Sequence, residues 1–351
     1  MGPTTPKETG RIDVLDFLRG VASVSVALFH FCNVLGPGAL YTASTYGKYG
    51  VQVFFVISGF IIPYSLHRGG YRIGHYFTFV LKRVTRLDPP YLVTICIVLA
   101  LGFLSRVFPF QKDLRFEVSA AQVLLHLGYL NTFFGYPWLV DIFWSLAIEF
   151  QYYLLMGLVF PLVVSRRALV RLPVLAALGA LSFAIPSAAY VFYFLFLFLM
   201  GIATFQYRIG LIGGRQLAAL LAVVTACSFV NLGIPATVAG SATVCAILFF
   251  KFKGAIFTFF GNISYSLYLL HSPVGRRALN VGLRLTGAES EAAKLVAVLF
   301  ALGVSVLAAY ALYRAVEKPS QRLSASFGYR RGREPVDEMT AEQLDQLSPA
   351  L

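Results

Sequence analysis

The sequence predicts an all-α, polytopic membrane bundle of about ten spanning helices, on three observations. The first is a shortage of charge. Of 351 residues, 58% are hydrophobic and 13% charged, against the roughly 25% charged of a soluble domain, and mean hydropathy is +0.73. Too little polar surface is left to solvate a particle of this size, so lipid must be the solvent. The second is a series of apolar runs, since about 20 apolar residues are needed to cross roughly 30 Å of hydrocarbon as a helix. The third is the gathering of basic residues into alternate loops.

Ten apolar runs fall at 14–35, 50–66, 89–108, 141–164, 172–187, 190–206, 215–232, 235–251, 256–273 and 294–316. Between the second and third, YRIGHYFTFVLKRVTR sets apolar and basic residues at helical spacing, which predicts an amphipathic helix lying on the cytoplasmic face of the membrane. Residues 109–140 form a polar excursion, with a short helix expected near 119–131. Placing the N-terminus inside puts 21 of the 29 Lys and Arg residues in inner segments. Both termini are therefore expected in the cytoplasm. The chain divides into a cytoplasmic tail at 1–13, a transmembrane domain at 14–318 and a tail at 319–351. That last tail, first basic and then acidic with no apolar periodicity, is expected to be disordered.

Composition also excludes classes. The net charge of +13 would suggest nucleic acid in a soluble protein, but here the basic residues sit in short loops. Orientation and anionic membrane lipids account for them, and no nucleic-acid partner is expected. Cys32, Cys96, Cys227 and Cys245 all lie in apolar runs without metal-ligand spacing, so neither a disulfide nor a metal site is expected. The first apolar run is too long for a signal peptide and is broken by Arg19. Neither an internal repeat nor an added soluble domain is expected.

Ionisable groups inside spanning helices are costly and mark candidate sites. In RIDVLDFLRGVASVSVALFH, Arg19 and His30 are eleven residues apart, about 20° past three full turns. They share a helix face about 16 Å apart along the axis. Asp16 lies one turn before Arg19 and can pair with it. Arg19 could also snorkel to the interface, and His30 could bond a neighbouring helix. Counting from helix ends, His30 lies in the outer half of the membrane, about 24 Å above the inner end of its helix. Glu149 in FWSLAIEF and Ser58 in GVQVFFVISGF each lie about 12 Å below the outer start of theirs. Three polar groups are thus expected at comparable depth. A carboxylate paired with His30 would suit it as a general base; Glu149 could instead pair structurally with an Arg or Tyr. Ser58-Gly59 suits close helix packing as well as catalysis. Near the inner face, Arg83 and Arg86 beside Lys82 suit phosphate recognition, and ordinary positive-inside topology would also supply them. His271, before Pro273 in GNISYSLYLLHSP, reads as an interfacial packing or capping residue.

Together these pieces resemble the acyltransferase 3 family of membrane acyltransferases. The matching segments, in the family's order, are DFLRGVASVSVALFH, GVQVFFVISGF, KRVTRLDPPY, LGYLN, FWSLAIEFQYYLL, GNISYSLYLLHSPV and VEKP, running from residue 13 to 319. The resemblance implies His30 and Arg19 as essential residues, with Arg83, Arg86 and Glu149 matching further family positions. Asp88 stands where the family often has tyrosine. It also implies acetyl-CoA as donor, no metal, and placement in the bacterial plasma membrane. The implied acceptor is a hydroxyl of a surface polysaccharide or lipid-linked glycan, including exopolysaccharide.

The mechanism expected from both lines of argument is concrete. Arg83, Arg86 and Arg19 hold the CoA phosphates, and His30, oriented by Glu149, deprotonates the acceptor hydroxyl. A covalent acetyl-His30 or acetyl-Ser58 relay is the variant. The rival class is a secondary transporter or glycan flippase coupling through intramembrane charges; the absence of repeat symmetry and of paired broken helices speaks against it.

Overall fold

A computed structural model of the chain describes residues 13–107, 117–287 and 289–329. Among them every regular element is helical. The helices are α1 Asp13–Asn33, α2 Ala39–Ser44, α3 Gly50–Arg68, α4 Tyr76–Val107, α5 Ala120–His126, α6 Phe143–Val163, α7 Ala168–Ala184 and α8 Leu195–Arg208. They continue as α9 Gly214–Leu232, α10 Ile234–Phe249, α11 Ala255–Leu270, α12 Arg276–Thr286, α13 Glu291–Leu312 and α14 Lys318–Ser326. Each of the ten apolar runs coincides with a helix. Seven helical segments are long and apolar enough to cross a membrane, while Ala168–Ala184 and Ile234–Phe249 are apolar but shorter. The architecture is that of a multi-pass membrane protein.

Small residues let the helices that matter for the site approach closely. A Cβ on Gly20 would meet Phe260, and one on Gly261 would meet Asp16, which clamps α1 against α11. Gly59 and Gly201 do the same for α3 and α8, where a side chain on either would strike backbone of the facing helix, at Phe198 and Val56. Ser58, one residue earlier, points elsewhere. Packing and site chemistry therefore fall on adjacent residues.

Two expectations about the chain's course are corrected. The surface helix and third span are one helix, α4, 32 residues long and continuous through Pro89 and Pro90. Proline is tolerated at a helix start, so the sequence invites a boundary there. Tertiary contacts carry the helix across instead, with Tyr265 OH donating to the Leu87 carbonyl at 2.9 Å just before the pair. The segment after Glu317, expected to lack order from 319 on, begins as α14 with Pro319 in its first turn. Ser324 anchors it by donating to the Lys82 carbonyl at 2.7 Å. Residues 330–351 of that tail, and the stretch 108–116, lie outside the described residues.

The polar excursion carries α5 and closes on itself through a fully satisfied histidine. His126 Nδ1 donates to the Gln122 carbonyl at 2.7 Å, and its Nε2 accepts from Leu139 N–H at 3.1 Å. Both ring nitrogens are used and the side chain is buried. Burial pushes this imidazole below the ordinary histidine range. His126 is a structural clasp.

Candidate active site

A cavity of about 500 Å³ runs between α1, α3, α4, α6, α11 and the α13–α14 junction, within the size range of small-molecule sites. Five cationic side chains line it, Arg19, Arg83, Arg86, Lys318 and Arg322, against three acidic ones, Asp16, Glu149 and Glu317. The excess of positive charge suits an anionic ligand. Arg19 and Arg86 both act electrostatically on Glu317. That carboxylate is 2% exposed and accepts from Ser266 at 2.5 Å and from Gln321 at 2.9 Å. Glu317 is thus held by two hydrogen bonds within electrostatic range of both arginines.

Midway along the cavity, hydroxyls from α3 and α6 converge on one carboxylate oxygen. Ser58 Oγ on α3 donates to Glu149 Oε1 on α6 at 2.6 Å. Tyr153 OH, one turn along α6, donates to the same oxygen at 2.6 Å. The Arg83 guanidinium lies over the Tyr153 ring, 5.7 Å from its centroid, and reaches Ser65 Oγ at 3.4 Å. Arginine, phenol, carboxylate and hydroxyl form one connected line. Chemically, Ser58 and Glu149 stand at the separation of a nucleophile and its base.

At the far end the cavity meets Ser145 and Tyr268, whose hydroxyls share a hydrogen bond of 2.6 Å. His30 lies beyond this pair and does not line the cavity. Its Nδ1 is 3.3 Å from Arg276 Nη2 on α12, and its ring centroid is 5.2 Å from that of His271. Since a guanidinium only donates, Nδ1 accepts there and the proton sits on Nε2.

Of the sequence-derived residues, Arg19, Arg83, Arg86, Ser58 and Glu149 share one cavity, and His30 stands apart. The expected His30–Glu149 pairing is replaced by two separate centres. Hydropathy alone places the start of α3 at the membrane surface, level with the outer end of α1. In fact the 3-10 turn Thr45–Tyr49 is already packed beside α1, with Gly47 against Ser25 and Phe29, and Gly50 against Ala22 and Val26. Ser58, two turns further down, lies with Leu15 and Arg19 instead of level with His30. The structure adds Tyr153, Glu317, Arg276 and His271. Glu317, an ionisable group ending an apolar helix, could have been found by the rule that exposed Arg19.

Geometry and fold together define a multi-pass membrane protein with an anion-receptive cavity and two intramembrane polar centres. The acyltransferase-domain model of the acyltransferase 3 family matches residues 12–314. The chain belongs to that family. Among characterised relatives, it is similar to the O-acetyltransferase OatA of Staphylococcus aureus strain NCTC 8325 / PS 47, 31% identical over 161 residues. That stretch is 43% of this chain and 24% of the relative. The OatA proteins of strains COL and MRSA252 match equally. The match thus spans about a quarter of the length of these relatives. No solved structure matches the chain.

Proposed function

We propose that the chain is a membrane O-acetyltransferase of the bacterial plasma membrane that takes acetyl from cytosolic acetyl-CoA and delivers it to a carbohydrate hydroxyl. The acceptor is a surface polysaccharide or a lipid-linked glycan. The observation that carries this reading is the cavity itself, cationic at one end and lined midway by the Ser58–Glu149 pair. With both termini cytoplasmic, the arginine end faces the cytosol, where Arg83, Arg86 and Arg19 hold the phosphates of CoA. The pantetheine arm then lies along the cavity and carries the thioester toward Ser145 and Tyr268. His30, on the outer side of that pair, receives the acceptor and handles its hydroxyl proton. The OatA relatives, named as O-acetyltransferases, support the acetyl assignment.

A relay through Ser58 is favoured by one specific distance, the 2.6 Å from its Oγ to Glu149 Oε1. In that route Ser58 Oγ attacks the thioester carbonyl, its proton passes to Glu149, and the S–C bond breaks to release CoA thiolate. The thiolate then takes the proton back from Glu149. The test is purified protein with labelled acetyl-CoA. Free CoA thiol should appear only when an acceptor sugar is supplied if transfer is direct. In His30→Ala, the relay predicts an acetyl adduct on the Ser58 peptide by mass spectrometry, and direct transfer predicts none. Protein that neither binds nor consumes acetyl-CoA would refute the function.

A further inference from the structure

Two buried histidines in this bundle make the same first bond and differ in the second. Like His126, His271 donates its Nδ1–H to a backbone carbonyl one turn back, that of Tyr268, at 2.7 Å. The bond fixes the tautomer and leaves the lone pair on Nε2. In His126 that lone pair accepts a backbone N–H. In His271, fully buried, it has no partner. The lone pair on His271 Nε2 is therefore available to receive a proton, which that of His126 is not.

The position of His271 supplies a use. It sits in the π turn His271–Gly275 that interrupts the helical path between α11 and α12, a kind of bulge frequent at functional sites. Its ring lies 5.7 Å from Tyr268, which lines the cavity, and 5.2 Å from His30. The groups around the two rings come from every neighbouring element. Tyr268 is contributed by α11, Arg276 by α12, Ser305 by α13 against the same turn, and Asp141 by the segment before α6, acting on His30.

We propose that His271 is a positioning residue for acyl transfer, an internal base that receives through His30 the proton released by the acceptor hydroxyl. This rests on the reading of His30 as the acceptor-side residue. As the acceptor oxygen attacks the acyl carbonyl, its O–H proton passes to His30 Nδ1, displacing Arg276 from that atom. His30 gives its Nε2–H to His271 Nε2 and stays neutral. Collapse of the tetrahedral intermediate breaks the S–C bond, and the proton returns along the same path to the CoA thiolate. Arg276 sets the starting tautomer of His30, and the Tyr268 carbonyl sets that of His271.

The test separates this role from structure. His271→Asn keeps an N–H for the Tyr268 carbonyl and replaces the basic nitrogen by an amide oxygen, which can accept a hydrogen bond but cannot take the proton. Full-length protein carrying it should reach the membrane at normal level and keep its KM for acetyl-CoA. Its kcat should fall by about 100-fold, the lower range for general acid–base groups. The pH dependence of kcat should lose one ionisation on its acid limb, and His30→Ala with His271→Asn should be no slower than His30→Ala alone. Wild-type kcat and pH profile in His271→Asn would overturn the proposal. Equal loss of membrane level and donor KM in both His271→Asn and His271→Gln would assign the residue to structure and overturn it too. If wild-type protein consumes no acetyl-CoA, the functional reading fails first, and the two failures are told apart.

Discussion

The cavity centre and the histidine centre lie in one bundle and are built on opposite principles. Around Glu149, the Ser58 hydroxyl and the arginine-stacked Tyr153 phenol donate to the carboxylate, and all of it lines a cavity able to admit a ligand. Around His30, the groups are packed against one another and His271 keeps an unpaired nitrogen. The first arrangement can bind and hold a charged donor. The second can hold and move a proton. The acyl transfer proposed above, from a soluble donor to an acceptor on the other side, needs both, and separating them lets each take the environment it requires.

That separation can be broken residue by residue. The largest effect belongs to the histidine centre: His30→Ala should lower kcat by 100-fold or more, the range for loss of an acid–base group, with unchanged protein in the membrane fraction. A steady-state assay of glycan acetylation measures it. Next comes a pure packing change beside the cavity. Gly59→Ala must push the Phe198 backbone and should destabilise the protein by about 1–3 kcal/mol. It should be read as a lower Tm in detergent, with the donor affinity of the folded fraction unchanged. The smallest effect lies at the arginine end. Arg83→Lys and Arg86→Lys keep the charge and lose the planar fork. Each should weaken acetyl-CoA by about 1–2 kcal/mol, within the range for charged hydrogen bonds. Most of that loss should vanish for a donor lacking the 3′-phosphate. Equal donor KM in wild type and both Lys variants would make the arginines orientation signals only.

Much of this was legible in the residues. Charge content, apolar runs and the intramembrane Arg19, Ser58 and Glu149 pointed to the bundle and to members of one cavity. Depth was not legible. Hydropathy marks where a segment becomes apolar, and nothing in it says that Thr45–Tyr49 is already tucked beside α1, which drops Ser58 well below His30. The continuity of α4 was hidden for a related reason, because Pro89-Pro90 fits a helix start as well as an interior held by neighbours. The neighbouring Pro273 makes His271 read as interfacial in the sequence. The proline marks a π turn inside the bundle instead of an exit from it, and only burial exposes the unpaired nitrogen.

If donor binding and acceptor-side proton handling reside in different places, equilibrium binding of acetyl-CoA separates them. Purified protein is measured in three forms: wild type, His30→Ala, and Arg83→Lys with Arg86→Lys. Wild type and His30→Ala should have equal Kd, and the double arginine variant a Kd at least about 10-fold weaker, a loss of about 1.4 kcal/mol. Loss of acetyl-CoA binding in folded His30→Ala, with the arginine variant binding normally, would contradict that separation.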